Sequence, residues 1–403
     1  MERKKILVIL TKLYMGGFSK SLINFLLCAK NYRDISFSIL MLDDEIMELE
    51  KEIPENIEII RISGENYEIS YFNKFRLFYH KCKYVFFEMY YKYLLKKEIN
   101  PKYVTEYAQI KNKVKALSLM FDFEFTKKYN AVISWQECYC NYVLAEKIPS
   151  NHKIGFIHPN YIEANFNKKI DKPSFKKLDK IITISKSCYD TLCEVFPKYK
   201  NKIYYIPNRL NYDNLVNKSK EYIPEIDKSC PTMLTVARIF DYNKAVFRIV
   251  DLAKKLLDDG LTFRWYIIGD GSDFDQMKKM IIDNNLSDFV LCLGEKVNPC
   301  PYMANVDLFV MQSHIEGRPV AVDEAVLLGI PALITEYSSA HEQIIDNKTG
   351  WIVKDNFDSI YNKLYKILSN EDILNLAKLN IKNIDKHGYE DCSMLINAAL
   401  GDK

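Results

Sequence analysis

Short apolar runs rich in Val, Ile and Leu, each followed by a longer stretch with helical spacing, recur along almost the whole chain. That alternation restricts the fold to parallel sheets with helices on their faces. Lys5 to Leu10 opens a first series, continued by Ile35–Met41, Ile57–Ile62, Ala131–Ser134, Lys153–Ile157, Lys180–Ile184 and Lys202–Ile206. The series restarts after Pro207-Asn208 and a polar, proline-marked stretch from Asn211 to Pro231. Met233–Val236, Phe263–Ile268, Val290–Leu293, Leu308–Met311, Ala332–Thr335 and Trp351–Val353 form the second series, separated by helices such as Ala245–Leu257 and Asp273–Asn284. Two doubly wound α/β domains follow, over 1–207 and 208–385. The second ends in two helices between Asn356 and Asp385, and 386–403 forms a tail or a further helix.

A length of 403 residues exceeds one ordinary core and suits two domains. No apolar run approaches the roughly 18 residues that span a bilayer, and Ile6 to Leu10 is too short for a secretory leader, so a cytoplasmic protein is expected. The formal charge of +3 is near balance and gives no reason to expect nucleic acid. Ten cysteines without a Cys-x-x-Cys pair fit a reduced protein with no zinc site; Cys138 and Cys140 read as two packed thiols rather than metal ligands. Residues 74–102 depart from the rest, since Lys74, Arg76, Lys81, Lys83, Lys92, Lys96, Lys97 and Lys102 alternate with Phe and Tyr. Two readings stand: a surface for an anionic membrane, or a helical insertion with aromatic core and solvated lysines.

The residues with chemical potential gather at strand ends. Glu316 and Glu324 lie eight positions apart, one in the loop after Leu308–Met311 and one in the helix that follows, with Pro319 expected at its first position and Gly329 and Pro331 closing it. A glycosidase pair flanks one bond at about 5–9.5 Å, and two acids on one wall do not suit that task. A helix carboxylate can instead accept two ribose hydroxyls and a loop carboxylate can hold a sugar; alternatively both are ordinary loop and helix acids. Arg238 and Lys244, at a strand end and just before the next helix, can neutralise a pyrophosphate or can be solvated loop charges. Gly16-Gly17 lets backbone N–H groups at a helix start face an anion. Gly269-Asp270-Gly271 also follows a strand but lacks the rest of the dinucleotide fingerprint, which disfavours a nicotinamide enzyme. His158 ends a strand, where it can bond a sugar hydroxyl or be a satisfied structural group; Ser185 and Asn208 read as cap and turn.

Taken in order, these segments resemble the GT4 family of retaining glycosyltransferases with the GT-B fold, two Rossmann-like domains facing each other across a cleft, with C-terminal helices returning to the first. Arg238 and Lys244, Ile267-Ile268-Gly269-Asp270-Gly271, and the Glu316 to Glu324 spacing match that family's signatures. The resemblance implies that Glu324 binds a ribose, that Arg238 and Lys244 hold the diphosphate, and that Glu316 and His158 attend the donor sugar as catalytic groups. Gly16, Gly17, Gly269, Gly317, Arg318, Ser338 and Ser339 join the donor-binding set. It further implies transfer with retention, without metal or cofactor, from a nucleotide-sugar co-substrate, UDP foremost, to a glycan or lipid-linked acceptor in cell-surface polysaccharide, capsule or lipopolysaccharide assembly. Peripheral contact with the inner face of an anionic cell membrane is implied with it. A sugar-nucleotide epimerase and a catalytically silent glycan-binding subunit are the alternatives. Arg318 stands where the family has an aromatic or aliphatic residue, and Ser338-Ser339-Ala340 where many members have a Gly-rich loop.

Overall fold

In the computed structural model, which describes residues 3–62, 85–94, 101–118, 129–386 and 389–401, β1 (Lys4–Leu10) is an interior strand of a first parallel sheet. From Ile6 onward it is fully buried, as its apolar run demands. Its period-two alternation divides the packing: Ile6, Val8 and Leu10 face one core layer with the helix Gly17–Ala29, while Leu7 and Ile9 face another with the helix Tyr139–Lys147. The remaining strands are β2 (Ile35–Met41), β3 (Glu58–Arg61), β4 (Ala131–Ser134), β5 (Lys153–Ile157), β6 (Lys180–Thr183) and β7 (Ile203–Tyr205), in spatial order β3-β2-β1-β4-β5-β6-β7.

The second sheet holds β8 (Thr232–Val236), β9 (Arg264–Ile268), β10 (Val290–Cys292), β11 (Leu308–Met311), β12 (Ala332–Thr335) and β13 (Gly350–Val353), in order β10-β9-β8-β11-β12-β13. Met233, Trp265, Ile267, Leu308 and Val310 face one layer, and Leu234, Tyr266, Ile268, Phe309 and Met311 the other. Each sheet therefore carries helices on both faces, the arrangement that the alternating sequence pattern requires. The chain divides into a unit of 1–208 with 391–403 and a unit of 209–390. The last helix, Ser393–Leu400, returns to the first unit and inserts Leu395, Ile396 and Ala399 into the layer of Ile6 and Val8.

Two boundaries differ from the sequence expectation. The helix expected from Ala245 begins at Arg248, because Ala245 sits in the left-handed region at φ 48° and closes a separate one-turn helix, Asp241–Lys244. Lys244 thus ends a short helix rather than preceding a long one. Pro319 is the cap of Val320–Leu327, not its first residue, since its ψ of 118° is extended. Most of the basic aromatic stretch of 74–102, namely 74–84 and 95–100, lies outside the described residues; 85–94 is helical. Among the described residues no helix is long and apolar enough to cross a membrane, no metal-ligand cluster forms, and nine cysteines are free.

Candidate active site

Strand order reverses between β8 and β11 in the second unit and between β1 and β4 in the first, and such reversal points are where open α/β sheets bind ligands outside the carboxyl ends of their strands. The candidate residues fall around these two points. In the second unit Arg238 follows β8 and is exposed. Lys244 forms an ion pair with Glu316, which follows β11. The two loops are tied a second time by the backbone, since His314 N donates to Asn243 O at 2.8 Å. The cation expected on a diphosphate and the carboxylate expected on a sugar are thus partners of each other across the reversal point.

Arg318 turns inward. Its Nε and Nη2 donate to the two carboxylate oxygens of Asp323 at 3.0 and 3.1 Å, and Glu342 lies 3.8 Å from Nη1. Asp323 occupies the first turn of Val320–Leu327, where the helix dipole favours a negative charge. Gln343 Nε2 donates to the Pro319 carbonyl at 3.0 Å, and Tyr337 donates to Gln343 Oε1 at 2.8 Å. Burial first, then the Glu316 and Asp323 charges, push the Tyr337 phenol well above its usual range, so it remains a neutral donor. The 316–319 loop is therefore pinned at Glu316, Arg318 and Pro319, with Gly317 between the first two. Glu324 follows Asp323 in the helix and is 4 % exposed.

One of the expected donor-site groups serves the fold in a way the sequence does not announce. Gly269 has φ +147°, and a Cβ there would lie 1.8 Å from the Ala237 carbonyl oxygen, so its lack of a side chain is required by the crossing of the β8 and β9 ends. Ser339 is fully buried and its Oγ has no hydrogen-bond partner among the described residues, whereas Ser338 is exposed. Of the two hydroxyls only Ser338 faces solvent.

In the first unit Gly16 is extended, and a Cβ built on it would meet nothing within 4 Å. Gly17 opens the following helix, whose first-turn N–H groups have no intrahelical acceptor. His158 leaves β5, with Nδ1 3.0 Å from Glu137 Oε2, and it stacks on Phe156 with ring centres 5.5 Å apart. Ser185 caps Lys186–Val195 by accepting from Cys188 N at 3.1 Å, as a cap residue should. Asn208 is the last residue before the division between units. Sequence reasoning missed Asp323 and Glu137: the first had a signal, an acid beside Glu324 one helical turn and a loop after an unusual arginine, and the second had none.

Residues 218–387 match the family model of group 1 glycosyl transferases. Among curated relatives, the chain is 28% identical over 236 residues to an N-acetylgalactosamine-N,N'-diacetylbacillosaminyl-diphospho-undecaprenol 4-alpha-N-acetylgalactosaminyltransferase of Campylobacter jejuni, covering 56% of this chain and 63% of that one. It is 25% identical over 197 residues to the Escherichia coli UDP-Gal:alpha-D-GlcNAc-diphosphoundecaprenol alpha-1,3-galactosyltransferase, covering 47% and 50%. The chain thus spans less than two thirds of these relatives, 63% of the first and 50% of the second. Among solved structures, TarM of Staphylococcus aureus, crystallised with fondaparinux, alpha-GlcNAc-glycerol and UDP, shares the fold at a TM-score of 0.68 and 13% identity over 98% of this chain and 99% of that one. HepE of Anabaena, with UDP and glucose, gives 0.66 at 14% identity over the full length of both. The Arg238, Lys244 and Glu316 to Glu324 frame lies inside the matched segment, and it is this segment that is similar to the group 1 glycosyl transferases.

Proposed function

We propose that the chain transfers a hexose or acetamido-hexose, with retention and without a metal ion or other cofactor, from a nucleotide diphosphate sugar to a glycan or lipid-linked acceptor. The observation that carries this reading is the Lys244–Glu316 pair beside the buried Glu324 at the β8 and β11 ends. A diphosphate competes with Glu316 for Lys244, with Arg238 supplying a second positive charge, while Glu324 accepts ribose hydroxyls. The bond from the anomeric carbon to the diphosphate oxygen breaks, the acceptor oxygen bonds to that carbon, and its proton passes to the departing phosphate. Charge on the leaving group is met by fixed cations and helix N–H groups. Two relatives act on diphospho-undecaprenol substrates, by their names, which supports a lipid-linked acceptor. In the 85–94 helix Phe86, Met89, Tyr90 and Tyr93 are exposed, which suits a protein working at the inner membrane face.

The test is a panel of UDP-, GDP- and ADP-sugars assayed for thermal stabilisation and for acceptor-dependent nucleotide release. A UDP-sugar at about 100 times its dissociation constant should add about 2.7 kcal/mol of stability. Glu324→Ala should weaken its binding by about 1.5–3 kcal/mol, the scale of a hydrogen bond to a charged group. Unaltered donor affinity in that variant, or nucleotide-sugar turnover that needs no acceptor, would overturn the assignment.

A further inference from the structure

Between β4 and the helix Tyr139–Lys147 the chain passes through Gln136, Glu137 and Cys138. Cys138 has φ 55° and ψ −102°, a backbone conformation that residues with a Cβ rarely adopt and that persists only where its surroundings enforce it. The enforcement is visible on both sides of the turn. Gln136 Oε1 accepts from the Thr11 hydroxyl at 2.7 Å and from Thr11 N at 3.3 Å, tying the turn to the end of β1. Ser134 Oγ donates to Gln136 O at 2.9 Å, and Tyr142 N donates to Cys138 O at 2.8 Å. The residue held between these anchors is Glu137.

Glu137 Oε2 lies 3.0 Å from His158 Nδ1 at the end of β5. Burial pushes the Glu137 carboxyl up, but the hydrogen bond and charge of His158 and the backbone N–H groups of Glu137 and His158 outweigh it and hold the group below the usual carboxylate range. An ionised carboxylate only accepts, so Nδ1 carries the proton and donates. In the neutral ring Nε2 then presents a lone pair. That Nε2 atom is buried and has no hydrogen-bond partner among the described residues. A fixed tautomer, with the opposite nitrogen left open, is what a group that receives a hydroxyl proton requires.

We propose that Glu137 is a positioning residue: through Nδ1 it fixes the tautomer and plane of His158, so that Nε2 accepts a hydrogen bond from a hydroxyl of the sugar ligand. The sugar as ligand rests on the glycosyltransferase reading, whereas the tautomer does not. The strained turn at Cys138 is the structural means, because a relaxed turn would release Glu137 from this position.

The experiment uses the full chain, with histidine labelled by nitrogen-15, and reads the His158 tautomer by long-range proton–nitrogen correlation at about pH 8, where an imidazole is ordinarily neutral. His158→Ala assigns the signals. Wild type should show the proton on Nδ1. Glu137→Ala should lose that preference and lower kcat by about 10- to 100-fold with little change in donor KM, the scale of one charge-assisted hydrogen bond. Glu137→Gln, whose amide oxygen still accepts from Nδ1, should keep the tautomer and recover most of kcat; should the Ala variant fail to fold, this variant and the wild-type spectrum decide. A wild-type proton on Nε2, an unchanged tautomer in Glu137→Ala, or a Gln variant as impaired as the Ala variant in both readouts would overturn the proposal. If no nucleotide sugar is turned over by the wild type, the glycosyltransferase reading and the sugar contact fail together while the tautomer measurement still decides the Glu137–His158 pair.

Discussion

A guanidinium buried near a helix start is tolerable only when it is matched, and Arg318 is matched by both oxygens of Asp323 with Glu342 close behind. The pair is 8 % and 3 % exposed, so neither partner can fall back on water if the other is removed. Arg318→Met should therefore cost about 3–5 kcal/mol, because it strands a buried carboxylate, whereas Arg318→Met with Asp323→Leu should recover most of that loss. Chemical denaturation of the wild type, both single variants and the double variant measures the coupling. Additive single costs would show that the pair does not act as a unit. Through this pair Arg318 fixes the loop that carries Glu316. The guanidinium has its fork already engaged within the second unit.

At the scale of elements, the site is where strand ends cross, and Gly269 is the clearest instance. Its φ of +147°, and the mere 1.8 Å that would separate a Cβ from the Ala237 oxygen, leave no room for even a methyl group. Gly269→Ala should thus destabilise the second unit by about 1–3 kcal/mol, the range for overpacking, as read from its unfolding transition. An alanine variant as stable as wild type would restore ligand approach as the reason for that glycine. The strands themselves were legible because parallel, doubly covered strands need continuous apolar runs, and β2, β4, β5, β11 and β12 begin and end where those runs do. The Glu316 and Glu324 frame was legible for a related reason, since a strand, a proline and a glycine fix the register of one loop. Lys244 was misplaced because nothing in Ala245 announces a left-handed residue. Glu137 was invisible because a strained turn without glycine leaves no mark in a single sequence, and its partner lies 21 positions away.

The first unit is held together by contacts distant in sequence, among them its last helix, and at its centre lies Asp171, 2 % exposed. Gln109 Nε2 donates to it at 2.8 Å and Tyr161 at 2.6 Å, with Tyr142 as a third donor, so it ties the helix Pro101–Ser118 to Tyr139–Lys147 and to its own helix, Lys168–Phe175. Burial raises its pKa from 3.8 to about 6, the hydrogen bonds from Tyr142 and Tyr161 and the Lys113 charge only partly offsetting it. A carboxyl raised on folding binds a proton that the unfolded chain has already lost, so its stabilising contribution is complete below pH 3.8 and disappears as pH rises through about 6. Asp171→Asn cannot titrate, and relative to wild type it should gain roughly 3 kcal/mol between about pH 4 and pH 7. Glu137 and Glu146 are shifted the other way and are common to both proteins, so they cancel in the difference. Melting temperatures of the two proteins across that range give the sign directly. A difference that is flat, or that falls with rising pH, would mean that Asp171 is ionised in the folded unit throughout and that its three donors and Lys113 outweigh its burial.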